Sequence, residues 1–342
     1  MQIFEAWSIR TIEKYYALHE GSQPVYDSLK ALFTSTRLRY FTVFAFLIGF
    51  VLTIPIIYME IHWKVFAFDT VSMENLLRYF FWLTVLIVIE FYLLFALGFY
   101  LLSYYIYHIY HMYRDEVGYI KEEAFLAMLG RTVMELPEKN IVKFNVDHQE
   151  HSDRERLMWA LLYKIKVVLT NVVLKFAMKK ILTRTSFRVY SPYVAALGTG
   201  AWDAFVFYKT AKESHYKITV RFVILYLLAH KRELLLKEVH LKAILARYFY
   251  YGEYNNNFDF FLTKLYEIQP FHYTKEEYLA ASVIQKSDPE LLLLLYAFKE
   301  KMHGKREKEI TRSLEQDAEL LRLRSAFRSG DLAYLYAYVE RL

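Results

Sequence analysis

Two long apolar runs, each bounded by charge, organise the first third of the chain. Tyr40 to Met59, YFTVFAFLIGFVLTIPIIYM, holds no charged residue. The thirty-five residues from Tyr79 to Tyr113 hold one, Glu90, between Arg78 and Arg114. A hydrocarbon core of roughly 30 Å needs about 20 apolar residues of helix. Both runs meet that length, and the second continues past it as a Tyr-rich helix. The pattern predicts an integral membrane protein with spans at about 40–59 and 79–103, forming a two-helix hairpin over 40–113.

After residue 113 the periodicity changes. From Arg156 to Trp202 there is no Asp or Glu, while Lys164, Lys166, Lys175, Lys179, Lys180, Arg184 and Arg188 alternate with large aliphatics. On a helix, Lys164, Lys175 and Lys179 fall within about 60° of one another. A cationic stripe beside a broad apolar face predicts an interfacial helix on anionic headgroups. The same stripe could instead be the solvated side of a core helix. A nucleic-acid partner is not expected, because the cations are diluted among aliphatics. A more apolar run, 189–208, has Asp203 as its one charge and is rich in small residues. It is expected to form a shallow re-entrant hairpin, with Gly198, Gly200, Trp202 and Asp203 in close helix packing. Whether 157–174 and 189–208 span, dip into or lie on the membrane stays open in the sequence.

From residue 230 onward the pattern is helical with clear punctuation. Thr274 and Glu277 form a capping-box pair, Ser287-Asp288-Pro289 starts a helix, and Ser329-Gly330-Asp331 separates the last two. No run alternates at period two, so no sheet is expected. The predicted class is an all-α integral membrane protein: N-terminal cytoplasmic helices (1–39), the hairpin (40–113), a cytoplasmic connection (114–155), a basic membrane-surface region (156–229) and a cytoplasmic helical bundle (230–342).

Composition adds three constraints. The 342 residues include 31 Tyr and 27 Phe, a load that suits either a membrane–water interface or an aromatic core. The absence of Cys excludes disulfides, thiolate metal sites and Cys nucleophiles. Residues 1–20 carry Glu5, Glu13 and Glu20 and no early apolar region, so no cleaved signal peptide is expected. The net charge of +6 follows the membrane reading. Lys30, Arg37, Arg39, Arg114, Lys121 and Arg131 flank the hairpin, whereas Glu60–Arg78 holds Lys64 and Arg78 against three acids. The positive-inside rule then predicts both termini in the cytoplasm and the short Glu60–Arg78 connection outside.

A family resemblance lies in the central block. Leu162, Tyr163, Lys164, Lys166, Leu169, Thr170 and Asn171, then Arg184 and Arg188, then Pro192, Val194 and Ala195, then Trp202 and Ala204, resemble the pattern of a bacterial membrane-protein family of unknown function. That family is named after a Leptospira locus tag. Glu90 and Leu136-Pro137 are also similar to it, and EcsC-like proteins are a more distant resemblance. Asp203 stands where the pattern has Asn, and Lys212-Glu213 where it has an Arg-Glu-Ala run. The resemblance covers about 75–222 and implies a bacterial membrane protein without adding a mechanism.

Candidate chemistry is sparse. Glu90 sits near mid-bilayer, where a carboxylate costs roughly 2.5–3.5 kcal/mol unless it is paired or protonated. It is either a packing contact or an ion site, and an ion site needs a ring of protomers. His148 and His151 are three residues apart but lack the zinc-protease spacings and an identifiable third ligand. His108 and His111 are expected as polar anchors at the interface. No nucleophile–base pair occurs, and no cofactor is expected. The sequence predicts a non-enzymatic membrane protein whose helical body meets anionic lipid and an unidentified protein partner, with a homo-oligomer admitted. The alternatives are a subunit of an oligomeric ion or solute transport system using Glu90 and, last, a membrane-bound metal hydrolase.

Overall fold

A computed structural model gives the structure of the protein and describes residues 2–19, 25–63, 72–113, 123–133, 144, 191–250, 255–299 and 317–342. It is all-helical, with no strand among the described residues. The helices are α1 Gln2–Leu18, α2 Leu29–Phe33, α3 Thr36–His62, α4 Met73–Met112, α5 Glu123–Val133, α6 Ser191–His230, α7 Arg232–Leu235, α8 Glu238–Tyr250, α9 Asn256–Ile268, α10 Lys275–Leu279, α11 Ala281–Lys286, α12 Pro289–Ala297, α13 Ala318–Ser329 and α14 Leu332–Arg341.

The chain divides into two compact units. One, the body, comprises Met1–Thr34, Tyr104–Leu157 and Lys212–Leu342; the other, the hairpin unit, comprises Ser35–Ser103 and Met158–Ala211. The boundaries therefore fall within α4 and within α6. The separate N-terminal, connecting and C-terminal regions expected from the sequence are joined in one body. The re-entrant hairpin expected at 189–208 is also corrected: α6 runs unbroken for 40 residues. Gly198 and Gly200 do not interrupt it, since glycine costs an interior helix only about 1 kcal/mol and long neighbouring turns carry it.

The body is an aromatic core. Tyr104 to Ile109 of α4 are buried. Tyr104 Oη donates to Tyr26 Oη at 2.8 Å, and Tyr107 Oη donates to the His19 carbonyl at 2.6 Å. The Tyr-rich extension of the second apolar run is thus core; His108 is buried beside Tyr26 and Tyr104 instead of resting at an interface. Amphipathic rings satisfy their hydroxyls equally well against a backbone carbonyl, so composition alone could not separate the two settings.

Arg221 of α6 is fully buried and joins three helices. Its Nη2 donates to Asn256 Oδ1 of α9 at 2.8 Å, and its guanidinium lies 3.9 Å from the Phe260 ring and 4.5 Å from that of Phe125 on α5. Each such cation–π contact contributes about 0.5–2 kcal/mol when desolvated. The C-terminal helices follow their punctuation. Thr274 and Glu277 cap α10 reciprocally, Asp288 caps α12 with Pro289 in its first turn, and Gly330 ends α13 in the left-handed region at φ 72°. A Cβ on Gly330 would lie 2.7 Å from Phe33 Cδ2, so both conformation and space require glycine there. Lys30 Nζ reaches Asp331 Oδ2 at 2.6 Å, fixing α2 to the α13–α14 corner.

His215 is fully buried in this body. Its ring stacks on Phe33 at 3.9 Å and meets the Tyr105 ring edge-on at 4.7 Å. Neither ring nitrogen has a hydrogen-bond partner among the described residues. Burial, with the Lys212 ammonium as a smaller cause, holds its pKa well below the usual histidine value of 6.5. The ring is therefore neutral in the fold, and in acid the unfolded chain binds a proton that the folded chain does not. This contribution to stability is complete above pH 6.5 and is lost as pH falls below it. We expect the melting temperature in detergent to drop on acidification from pH 7.5 to 5.5, and His215→Phe to show a smaller drop. An unchanged pH dependence in the variant would contradict this assignment.

Candidate functional site

The hairpin unit places polar and small residues where its helices meet. Along α3 the buried positions Ala45, Gly49 and Thr53 recur every four residues and form one stripe. Thr53 satisfies its own hydroxyl by donating to the Gly49 carbonyl at 2.7 Å. The stripe lets α6 approach to backbone contact. A Cβ on Gly49 would stand 3.2 Å from Gly200 Cα, and one on Gly200 would stand 2.6 Å from the Phe46 carbonyl oxygen. Close crossing at small residues gains van der Waals contact that larger side chains would prevent.

Asp203 lies one turn beyond Gly200 and is 9 % exposed. Its carboxyl occupies the notch over Gly49, where an added Cβ would come within 1.9 Å of Oδ2. Gly49 thus makes room for a carboxylate, and a buried carboxylate is retained only with partners. Asp203 does have one within the fold, as does Glu90.

Glu90 is half-buried on α4. Two contacts define how α3 and α4 pair: the Phe41 and Tyr100 rings stack at 5.8 Å, and Tyr79 Oη donates to Glu60 Oε1 at 2.9 Å. The pair is antiparallel, and interpolation between these contacts brings Glu90 level with Gly49. Two carboxyl groups, Glu90 and Asp203, therefore sit at about one depth of the unit. Near the turn end, Ile56, Met59 and Tyr79 form a small core with Trp63, Leu76, Leu83 and Leu86 against it.

The predicted site residues distribute unevenly over this structure. Gly200 and Asp203 face α3. Gly198 and Trp202 do not: both are exposed, a Cβ on Gly198 would meet nothing within 4 Å, and the Trp202 ring lies near that of Phe205. The correction follows from helix periodicity, because residues 198 and 202 are rotated away from 199, 200 and 203 once α6 is continuous. Lys164, Lys166, Lys175, Lys179, Lys180, Arg184 and Arg188 lie outside the described residues, as do His148 and His151. Sequence reasoning missed Gly49 and Thr53. Their signal was present as the four-residue spacing of small residues from Ala45, in a run otherwise composed of large ones.

Two glycines two residues apart carry opposite expectations. Gly200→Ala should destabilise the unit by about 1–3 kcal/mol, the usual cost of overpacking, because the new methyl meets a backbone carbonyl. Gly198→Ala should leave stability unchanged or raise it slightly, since alanine favours helix. Thermal unfolding in a mild detergent checks both, and equal effects would contradict the crossing. In comparison with known proteins, no family model, no curated protein and no solved structure matches the chain.

Proposed function

We propose that this is a non-enzymatic bacterial inner-membrane protein whose hairpin unit is embedded in the bilayer and anchors the helical body at an anionic membrane surface. The observation that carries the reading is the reversed polarity of α3. Its buried positions include Ala45, Gly49 and Thr53, while Tyr40, Val43, Phe44, Leu47, Val51, Ile54 and Tyr58 are exposed. In water that arrangement would leave a large apolar patch, far beyond what soluble monomers present. In lipid it is the expected one, because apolar side chains gain nothing by leaving a hydrocarbon solvent and small residues dominate the contacts between helices.

Helix α4 supports the same reading with Phe80, Phe81, Trp82, Val88, Ile89 and Tyr92 exposed. The stretch Leu29–His62 and α4 are both long and apolar enough to cross a membrane, and only 28 % and 22 % of their most apolar stretches is buried within the protein. A core helix of a soluble protein would be mostly buried. The anionic surface rests on the basic sequence from Lys164 to Arg188, and the bacterial assignment on the resemblance over 75–222.

A second reading, a subunit of an oligomeric ion or solute transport system, draws on the shared depth of Glu90 and Asp203. Packing is favoured, because both carboxyl groups have partners within the fold. A lone hairpin also encloses no path, so a monomer or dimer in detergent would exclude transport around Glu90.

The test is retention and lipid content. The full chain should stay with membranes through alkaline carbonate washing. Replacing Lys164, Lys175 and Lys179 by Gln should lower the anionic phospholipid that co-purifies in mild detergent while leaving neutral lipid unchanged, since each Lys near a surface contributes about 1 kcal/mol. Release by carbonate would overturn the membrane reading, and unchanged lipid would overturn the anionic contact alone.

A further inference from the structure

We infer that α2 is a pH-gated latch of the body: it docks on α6 through the Phe33–His215 stack, which requires a neutral imidazole, so acid releases this short helix ahead of the rest of the body. The Phe33 and His215 rings are parallel to within 2° with centroids 3.9 Å apart. Both residues are fully buried. The Tyr105 ring packs at a steep angle to the imidazole at 4.7 Å. Its hydroxyl, like both ring nitrogens of His215, has no hydrogen-bond partner among the described residues. All of these groups belong to the body, so the latch does not depend on the hairpin unit being in a membrane.

A proton on this ring would create a buried cation with neither N–H satisfied, which costs far more than burying the neutral ring. Among the described residues no carboxylate offsets that cost. Lys212, one turn earlier on α6, is the charge that acts on the ring, and it opposes protonation. Glu213 of the same helix pairs with Lys217 at 3.2 Å. From α2 the ionisable side chain is Lys30, bound to Asp331 at the α13–α14 corner, and Asp27 just before α2 is exposed. From α13, Arg328 is an exposed cation. From α4 come Tyr105, Tyr104, whose hydroxyl donates to Tyr26, and His108, which packs against the Tyr26 and Tyr104 rings.

Helix α2 is the element that yields, because it is the shortest of the three that meet at the imidazole. Five residues form no stable helix alone. It is held by the buried side chains of Leu29, Leu32 and Phe33, by the fit of Phe33 against Gly330, and by the Lys30–Asp331 pair. The other two rings stand on α4 and α6, helices of 40 residues each. A short segment with few buried side chains opens at lower free energy than the long helices it covers. Opening of α2 uncovers the Phe33 face of the imidazole, which then takes up a proton at the ordinary histidine value of 6.5. Between pH 7.5 and 5.5 this linkage raises the open fraction about tenfold. Only Thr34 and Ser35 separate α2 from α3, so the released segment is the one through which the chain leaves the body for α3.

Hydrogen exchange of the full-length protein in mild detergent, read by mass spectrometry and corrected for the intrinsic pH dependence of exchange, tests the latch. The peptide carrying residues 29–34 should be less protected than the peptide carrying α9 at both pH values. Its opening should rise about tenfold from pH 7.5 to 5.5 in the wild type. The rise should be much smaller in His215→Phe, which keeps an aromatic stack without a titrating group. His215→Leu, a smaller side chain, should match His215→Phe in this respect. Wild-type α2 protection that does not fall with acid would overturn the latch without any variant, as would an equal fall in wild type and variants. Equal protection of α2 and α9 would also overturn it, since the body would then open only as a whole.

Discussion

The contact between Gly49 and Gly200 is the constraint on which the hairpin unit depends. Two backbones can approach that closely only where neither carries a side chain. The approach sets the rotation of both helices about their axes. Once the rotation is set, Ala45, Thr53, Thr199 and Asp203 must turn inward and the large side chains of both helices must turn outward. The polarity of the surface is therefore a consequence of where the small residues lie. A bilayer, proposed here as the solvent of this unit, tolerates that outcome because it exerts no pull on the apolar faces toward one another. It also raises the cost of leaving Asp203 without partners, which explains why the carboxyl is lodged against α3 instead of facing lipid.

The body follows the opposite rule. Leucine, phenylalanine and tyrosine side chains are inside, and several buried polar groups meet a specific partner. Arg221 is held between two aromatic rings and an asparagine oxygen. Asn257 donates to the Lys217 carbonyl at 2.8 Å, and Lys217 donates to Thr132 at 2.7 Å, so α5, α6 and α9 are joined by one chain of hydrogen bonds. Helices α4 and α6 contribute to both units, and each changes character along its length. The same α6 is apolar outside over residues 193–208 and apolar inside over 216–227. Its average composition reveals neither face, so the sequence marked residues 189–208 as an apolar run without showing which side turns inward.

What the sequence revealed depended on how local the signal was. The capping box at Thr274 and Glu277, the start at Asp288-Pro289 and the left-handed Gly330 need only a few neighbouring residues, and they were readable. The two long apolar runs were readable for the same reason. The role of Tyr104 to His108 was not, because whether a tyrosine rests in a headgroup layer or a protein core depends on residues far away, such as Tyr26 and His19. The glycines at 198 and 200 read alike as close-packing residues, and only Gly200 is one. Only the partner helix distinguishes them, and its own mark, Gly49, is a single residue in a run of twenty. Similarly, nothing local says that residues 1–34 and 212–342 share one core; that follows from contacts such as Lys30 with Asp331.

Embedding of the hairpin unit in a bilayer is tested most directly by the environment of its outward faces. Nitroxide labels at Val43, Val88 and Phe205, each introduced singly through cysteine into the full chain and reconstituted in phospholipid vesicles, report collisions with oxygen and with a water-soluble nickel chelate. High oxygen and low chelate accessibility are expected at all three positions, with the reverse at Ser329. High chelate accessibility at Val43, Val88 and Phe205 would place these faces in water and contradict the embedding.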